Sequence, residues 1–223
     1  MRTYDELFAM AAARKGGRQA LEAMLPKATG PAELARIPDD RWLAMATRCV
    51  FNAGFNWKVT EAMWPGFEAA FEGFDPARWA MMSDDDLDRL LADRRVIRHG
   101  AKLLSVRDNA ILLRELAREH GTAAAAFACW PSTDYVGLLD LLKRRGSRLG
   151  GNTGQYFLRF MGKDSFILSR DVVAALIREG VVDRPPSSKR DLAAVQDAFN
   201  RWMDESGRGL TQISRTLAMS VGA

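Results

Sequence analysis

A glycine-rich turn beside a run of basic residues is the first part of this sequence whose composition could support chemistry. Gly150, Gly151 and Gly154 lie in a stretch, residues 141–163, that contains no acidic residue. Its six basic residues are Lys143, Arg144, Arg145, Arg148, Arg159 and Lys163. Glycines let the backbone approach a partner closely, and a helix that restarts near Thr153 would present free N–H groups and the positive end of its dipole. The layout predicts a site for an anion such as a DNA phosphate.

A plain helix–turn–helix connection is the alternative explanation of this stretch, because a helix often needs a glycine to end it. The charge of the whole chain does not separate the two explanations. The formal net charge is +4, the pI is about 9.3, and 25 of the 32 basic residues are arginine. Arginine suits bidentate contacts with phosphate, but a GC-rich genome would produce the same excess.

Helical signals run along the whole chain, and no stretch alternates for long enough to predict a strand. Ser83 before three aspartates and Ser188 before Asp191 have the spacing of capped helix starts. One long helix is predicted from about Gly100 to Glu119. Further helix starts are predicted at Pro31, at Asp39 as the cap of the helix carrying Trp42, at Asp75-Pro76 and at Pro131-Ser132. The sequence therefore predicts an all-α fold of about ten helices joined by short loops.

The few cysteines and histidines give no metal-binding pattern. Cys49 and Cys129 are the only cysteines, and neither His99 nor His120 lies near one of them at a ligand spacing. We therefore predict no metal and no cofactor. No apolar run approaches the length of a membrane span, and the N-terminal residues lack the basic region of a signal peptide. These features favour a cytoplasmic protein that makes no use of a membrane.

A series of short segments follows in order along the chain: Ala53-Gly54-Phe55-Asn56-Trp57, Phe74-Asp75-Pro76, Ile97-Arg98-His99, Lys102 and Asn109-Ala110. Together these segments resemble the 3-methyladenine DNA glycosylase I family, within the helix-hairpin-helix DNA glycosylase superfamily. The glycine-rich turn is similar in order and spacing to the hairpin of that family. The resemblance covers about residues 40–175. It implies a helix-hairpin-helix glycosylase fold of two helical lobes with a cleft between them. It further implies one domain over residues 1–223, a hairpin at about 138–162 and terminal helices at 187–221 that pack on the N-terminal segment.

The sequence departs from this family in three places. The family has a zinc clip of cysteine and histidine at its chain ends, and this sequence has no such residues there. Cys49 stands where the family carries a glutamate that recognises the base. The N-terminal segment whose tyrosines and tryptophan line the family's pocket is absent, and Tyr4 is the only early tyrosine. These departures leave the choice of substrate open.

The resemblance assigns three groups of site residues. Asp171 is the candidate catalytic carboxylate, at the start of a helix after the hairpin, and Ser169 and Asp164 are the alternatives for that position. A base pocket is expected from Trp57, Phe51, Phe55, Asn52 and Cys49. Contacts with the DNA backbone are expected from Gly150, Gly151, Thr153, Gly154, Arg148, Arg145, Arg98 and Lys102.

These assignments imply a monofunctional DNA repair enzyme. It would bind double-stranded DNA as a monomer, associated with the nucleoid when engaged, and flip an alkylated purine such as 3-methyladenine out of the helix. It would then hydrolyse the N-glycosidic bond and leave an abasic site. The main alternative is a non-catalytic helix-hairpin-helix DNA-binding protein derived from this fold, since Cys49 replaces the expected glutamate. A third hypothesis is an all-α regulatory or scaffolding protein with no role on DNA.

Overall fold

The structure of this chain, a computed structural model, describes residues 1–222 and contains only helices and loops over that range. The all-α prediction is confirmed. There are more helices than the ten expected because several short ones stand separately in the chain. The α-helices are α1 (Tyr4–Arg14), α2 (Arg18–Met24), α3 (Pro31–Leu34), α4 (Asp39–Asn52), α5 (Trp57–Ala70), α6 (Pro76–Trp79), α7 (Asp84–Ala92), α8 (Gly100–His120), α9 (Ala123–Cys129), α10 (Tyr135–Arg145), α11 (Asn152–Phe160), α12 (Arg170–Arg178), α13 (Lys189–Ser206) and α14 (Leu210–Met219). A 3₁₀ turn, Ser132–Asp134, precedes α10.

The residues divide into two compact units. The first contains Met1–Thr29, Pro131–Gly137 and the chain from Gly162 onward. The second contains Gly30–Trp130 and Leu138–Met161. The second unit therefore holds most of the segments that carry the family resemblance, and the first holds the chain ends and the candidate catalytic carboxylate.

Local capping signals explain where several helices begin. Ser83 caps α7 and Ser188 caps α13, each in a reciprocal capping box with the acidic residue three positions on. Both predictions are confirmed. The prediction that Asp39 caps its own helix is wrong, because α4 begins at Asp39 after Pro38. The Asp39 carboxylate instead accepts the backbone N–H groups at the start of α9, at 3.1 Å from Ala123 and 3.0 Å from Ala124.

Large aromatic side chains fill the core of the second unit. The indole of Trp42 stacks on Phe127 with ring centroids 4.6 Å apart and meets the edge of Phe157 at 5.7 Å. All three side chains are buried. Helix α8 packs against α4, α6, α7 and α9, and α11 packs against α4. Since α4 and α11 are both held by this core, the ends of these two helices are held close to each other.

The first unit is built around α1, α13 and α14. Helix α1 packs against α13 and α14, and α12 packs against α14. The buried hydroxyl of Tyr4 lies 3.0 Å from the hydroxyl of Thr216, and the Trp202 indole N–H donates to the Arg2 carbonyl at 3.1 Å. Phe166 stacks on Phe199 at 4.4 Å. The chain ends are therefore tied into one core. Among residues 1–222, no helix is both long and apolar enough to cross a membrane.

Candidate functional site

The glycine-rich turn connects α10 to α11 and has an unusual backbone. Gly151, the residue before α11, has φ +58° and ψ −138°, and Arg148 adopts the left-handed conformation at φ +60°. A Cβ added to Gly154 would clash with the carbonyl oxygen of Leu149. The turn thus requires glycine at both positions, for conformation at Gly151 and for space at Gly154.

A side chain from α8 fixes this turn in place. The buried Asn109 amide accepts the Ser147 backbone N–H at 2.8 Å and donates to the Ser147 carbonyl at 3.1 Å. Arg148 adds a third connection, because its Nε donates to the Ala101 carbonyl at 3.3 Å. Asn109, of the Asn109-Ala110 motif in the sequence, therefore holds the hairpin turn in place. The sequence alone did not assign it this role.

The N-terminus of α11 presents backbone donors on the surface. No side chain caps this helix at Gly151, and Gly151 and Asn152 are exposed. The first N–H groups of a helix have no partner within it and carry the positive end of the dipole. Gly150, Gly151 and Thr153 lie at this end, as the sequence predicted, whereas Gly154 is buried. The arrangement suits an anion.

Two of the residues predicted to contact phosphate have partners within the protein. Arg145 pairs with Glu119 at 2.7 Å and with Glu115 at 3.0 Å, and these hydrogen bonds raise the pKa of its guanidinium. Lys102 is 5% exposed, and its Nζ donates to the carbonyls of Ala53 at 2.5 Å and Phe51 at 3.3 Å. Arg145 is thus held by carboxylates, and Lys102 satisfies the free carbonyls at the end of α4.

Burial lowers the pKa of the Lys102 ammonium, and the positive charge of Arg148 adds to this effect. All three predicted arginines, Arg98, Arg145 and Arg148, are exposed. Arg98 makes no ion pair with any other residue of the described chain. Arg98 and Arg148 therefore keep guanidinium groups that no carboxylate of the described chain holds, and Lys143 is a further exposed basic residue of the hairpin stretch.

A cavity of about 240 Å³ lies beside the start of α11, entirely within the second unit. Its walls come from the end of α4, the loop that follows, the start of α5 and the exposed face of α11. The lining residues are Cys49, Asn52, Ala53, Gly54, Trp57, Asn152, Thr153, Tyr156 and Phe160. A small planar molecule is the kind of ligand that this space could hold.

Three aromatic rings surround the cavity. Trp57 is 49% exposed and meets Tyr156 edge-on at 6.1 Å and Phe160 edge-on at 5.6 Å. Tyr156 and Phe160 are one helical turn apart on α11, so both point toward the α5 side. Sequence reasoning missed these two residues, although their spacing of four after the glycine turn was a usable signal. An exposed indole flanked by ring edges provides a stacking surface.

The structure brings together Trp57, Asn52 and Cys49 of the predicted pocket and places the other two elsewhere. Phe51 is fully buried and packs edge-on against Phe67 at 4.8 Å, so it supports the core and lines no cavity wall. Phe55 is 39% exposed on the loop before α5, with the Lys102 ammonium 4.3 Å from its ring centroid. The wall of this cavity therefore contains neither Phe51 nor Phe55, which were expected in a base pocket.

Two polar residues of the cavity wall, Cys49 and Asn52, are buried and carry no charge at neutral pH. Burial raises the pKa of the Cys49 thiol to about 12, although the positive charge of Arg48 opposes the change, so the sulfur is protonated at neutral pH. Asn52 is 7% exposed, and its Oδ1 has no hydrogen-bond partner in residues 1–222. A buried acceptor without a partner is uncommon in folded proteins. The Asn52 Oδ1 is therefore an unsatisfied acceptor that is closed off from solvent.

The three candidates for the catalytic position have different environments in the first unit. Asp164 accepts the N–H groups of Leu210 and Thr211 at 3.0 and 2.9 Å, so it caps α14. Ser169 caps α12 by accepting the Val172 N–H at 3.3 Å. Asp171 is the second residue of α12 and is exposed, with no hydrogen bond to another described residue. Only Asp171 has a carboxylate that is not already used as a helix cap.

No group of histidine, cysteine and acidic side chains in residues 1–222 is arranged to hold a metal ion. The two cysteines are both free thiols, Cys49 buried and Cys129 exposed.

Comparison with known proteins supports the resemblance noted in the sequence. The methyladenine glycosylase family model matches residues 38–135, somewhat less than half of the chain. The DNA-3-methyladenine glycosylase 1 of Escherichia coli K12 is 34% identical over 59 residues, which cover 26% of this chain and 32% of that enzyme. The matched stretch thus spans about a third of the curated relative.

Solved structures show the same fold. A 3-methyladenine DNA glycosylase I from Staphylococcus aureus superposes with a TM-score of 0.51 at 20% identity, covering 56% of this chain and 77% of the other. A tyrosine-to-phenylalanine variant of 3-methyladenine DNA glycosylase I in complex with 3-methyladenine superposes with a TM-score of 0.50 at 21% identity, covering 55% and 76%. The resemblance to this family is confirmed, and the fold over the matched part is that of its members.

Proposed function

We propose that this chain, which resembles the 3-methyladenine DNA glycosylase I family, is a DNA glycosylase that hydrolyses the N-glycosidic bond of alkylated purines such as 3-methyladenine. One observation carries the proposal. The first turn of α11 supplies both the open N–H groups of the hairpin and, through Asn152 and Thr153, part of the wall of the aromatic cavity. A DNA backbone held at the hairpin would therefore have the cavity next to it.

The cavity suits a base that has been turned out of the duplex. Extrusion costs a few kcal/mol and is least costly for a damaged base. The half-exposed indole of Trp57 would replace the stacking that the base loses. An alkylated purine carries positive charge, and contact with an aromatic face adds about 0.5–2 kcal/mol. Since Tyr156 and Phe160 hold the indole edge-on, the stacking surface is already in position.

Asp171 is the proposed catalytic residue. The bond between the sugar C1′ and the base nitrogen breaks, its electron pair leaves with the base, and the base charge is neutralised. The sugar acquires oxocarbenium character, which a carboxylate stabilises electrostatically. A water molecule then adds to C1′ and loses its proton, which leaves an abasic site. Lys102 is not assigned a Schiff-base role, because its ammonium is engaged by two backbone carbonyls.

The decisive experiment is chromatography of the bases that the purified protein releases from methylated duplex DNA. Release of 3-methyladenine is expected from the wild type and should fall by at least about a hundredfold in Asp171→Asn, while DNA binding persists. Asp197→Asn is the matched control, because Asp197 is another exposed aspartate in the same unit. Equal loss of release in both variants would overturn the catalytic role of Asp171.

A non-catalytic DNA-binding protein is the second candidate, and the neutral Cys49 at the expected glutamate position is the observation in its favour. The two candidates differ in one result. The enzyme releases a base from methylated duplex DNA, whereas the binding protein retains salt-sensitive DNA binding and releases none. A protein that neither binds duplex DNA nor releases a base would exclude both.

A further inference from the structure

The α4–α5 loop, residues 53–56, helps to determine where the cavity wall and the Trp57 indole lie. The first two residues of this loop line the cavity, and Trp57 is the first residue of α5. Asn56 ends the loop and caps α5, since its Oδ1 accepts the Lys58 N–H at 3.0 Å. A shift of the loop would therefore move the start of α5 and the indole with it.

The α4–α5 loop has few attachments to the rest of the protein. All four of its residues are exposed, and Gly54 has a φ of +79°. Within residues 1–222, its hydrogen bonds go to the adjoining helices α4 and α5, with one exception. The exception is a hydrogen bond from the side chain of Lys102, which lies on α8. Lys102 is thus the hydrogen-bond anchor of the loop outside its own two helices.

The Lys102 ammonium contacts the loop at two points. It lies 2.5 Å from the carbonyl oxygen of Ala53 and 4.3 Å from the ring centroid of Phe55. It also donates to the Phe51 carbonyl, at the end of α4, at 3.3 Å. The three contacts join the end of α4 to the first and third residues of the loop, all within the second unit.

The buried charge of Lys102 has a cost that an apolar side chain would avoid. The residue is 5% exposed, and no carboxylate in the described chain pairs with it. A buried ammonium is costly unless it is hydrogen-bonded. Here the carbonyls at the negative end of the α4 dipole and an aromatic face compensate it. The attachment of the loop is what the lysine adds in return.

We propose that Lys102 is a positioning residue for base release and not a phosphate contact, because its ammonium holds the α4–α5 loop and, through the loop, the Trp57 indole and one side of the cavity wall. This inference rests on the proposed function. Since Lys102 acts through the loop, removal of its ammonium leaves DNA binding intact and slows the release of a bound base. A phosphate contact would give the opposite pattern, with weaker DNA binding and a less steep salt dependence.

Lys102→Met, which replaces the ammonium by an unbranched apolar side chain, tests this inference by three measurements. The first is the NMR signal of the Trp57 indole N–H in the free protein, identified with Trp57→Phe. This signal should shift. The signal of Trp79 should stay in place, because Trp79 is fully buried in α6, which also packs against α8. A general disturbance of the fold would move both signals.

The other two measurements separate binding from release. The dissociation constant for methylated duplex DNA and its dependence on salt should match those of the wild type. The rate of 3-methyladenine release at saturating protein should fall by about tenfold or more, since small displacements within a site have effects of that size. Lys102→Gln keeps a donor without the charge. Its salt dependence should also be unchanged, which retains the test if the methionine variant does not fold.

Ser105→Ala is the matched control. Ser105 is another buried polar residue of α8, and its hydroxyl donates to the Lys102 carbonyl at 2.6 Å, so its hydrogen bond stays within the helix. This variant should keep the wild-type Trp57 signal and release rate. An equal change in Ser105→Ala would assign the effect to α8 as a whole and overturn the role of the ammonium.

The inference fails if Lys102→Met lowers the salt slope by about one, if it leaves the Trp57 signal in place, or if it releases the base at the wild-type rate. Failure of the proposed function looks different, because the wild type itself would then release no base. In that case the Trp57 signal and the salt slope would still decide whether Lys102 holds the loop or contacts a phosphate.

Discussion

The Asn109 side chain on α8 holds the hairpin turn by two hydrogen bonds to the backbone of one residue, Ser147. Its Oδ1 accepts the Ser147 N–H at 2.8 Å and its Nδ2 donates to the Ser147 carbonyl at 3.1 Å. An amide side chain thus pairs with the turn in the way that a neighbouring backbone would. The orientation of the hairpin is therefore set by the longest helix of the second unit rather than by the turn alone.

Replacement of Asn109 by alanine should destabilise the protein and weaken its binding to duplex DNA. Both Ser147 backbone groups would lose their partner, at a cost of about 1–3 kcal/mol in the free energy of unfolding. Urea denaturation measures the loss. Asn109→Asp keeps the acceptor and loses the donor, so its stability should lie between those of the wild type and the alanine variant. Equal stability of all three proteins would show that these hydrogen bonds contribute nothing.

Local signals in the sequence were sufficient for much of the fold. Ser83 and Ser188 cap the helices that follow them, because a capping box depends on residues three positions apart. The prediction that Asp39 caps its own helix was wrong, since the N–H groups that it caps belong to Ala123 and Ala124, more than eighty residues away. Partners at that distance depend on the tertiary structure.

The same limit applies to the candidate site. The basic character of Arg145 suggested a phosphate contact, but Glu115 and Glu119 reach it from α8. Lys102 could be recognised as a motif residue, whereas its burial under the end of α4 depends on how two helices pack. The basic side chains of Arg145 and Lys102 thus indicated a possible phosphate contact. Their partners in the folded protein determine whether they are free to make it.

The salt dependence of DNA binding should distinguish the two kinds of arginine near the hairpin. Each phosphate contact that is lost lowers the slope of log K against log salt concentration by about one. Arg148→Ala and Arg98→Ala should each reduce the slope by about that amount, because both residues are exposed and neither pairs with a carboxylate in the described chain. Arg145→Ala should leave the slope unchanged, since Glu115 and Glu119 hold its guanidinium.

Fluorescence anisotropy of a labelled duplex, repeated over a series of salt concentrations, gives these slopes. Arg145→Ala is the matched control, since it removes the same charge from the same hairpin. A reduced slope in Arg145→Ala would show that its ion pairs open on DNA. Unchanged slopes in all three variants would place the phosphate contacts elsewhere on the protein.

The two cysteines should differ sharply in their reaction with iodoacetamide. Only the thiolate reacts, and burial raises the pKa of the Cys49 thiol to about 12, so very little thiolate is present at about pH 8. Cys129 is exposed at the end of α9. Mass spectrometry of the native protein should find one adduct, on Cys129, and none in Cys129→Ser. Modification of Cys49 at a similar rate without denaturant would contradict a neutral, enclosed thiol in the cavity wall.

Glu179 should make the stability of the protein depend on pH in the acidic range. Burial by itself would raise the pKa of this carboxyl, but hydrogen bonds from the Arg2 backbone N–H and the Arg178 guanidinium outweigh it, and the pKa is lowered. The folded state therefore binds a proton less readily than the unfolded state does, in which a glutamate has a pKa of about 4.3. The stabilisation is present above that value and is lost as the pH falls through and below it.

Urea denaturation at a series of pH values from neutral to acidic measures this contribution. The wild type should lose stability on acidification more steeply than Glu179→Gln, which has no proton to gain at this position. Glu33→Gln is the control, because Glu33 is exposed and makes no ion pair within residues 1–222. Its curve should follow that of the wild type. The unfolding free energies of the wild type and Glu179→Gln could instead change in parallel with pH. That result would show that the ion pairs of Glu179 persist in the unfolded chain or contribute no stability.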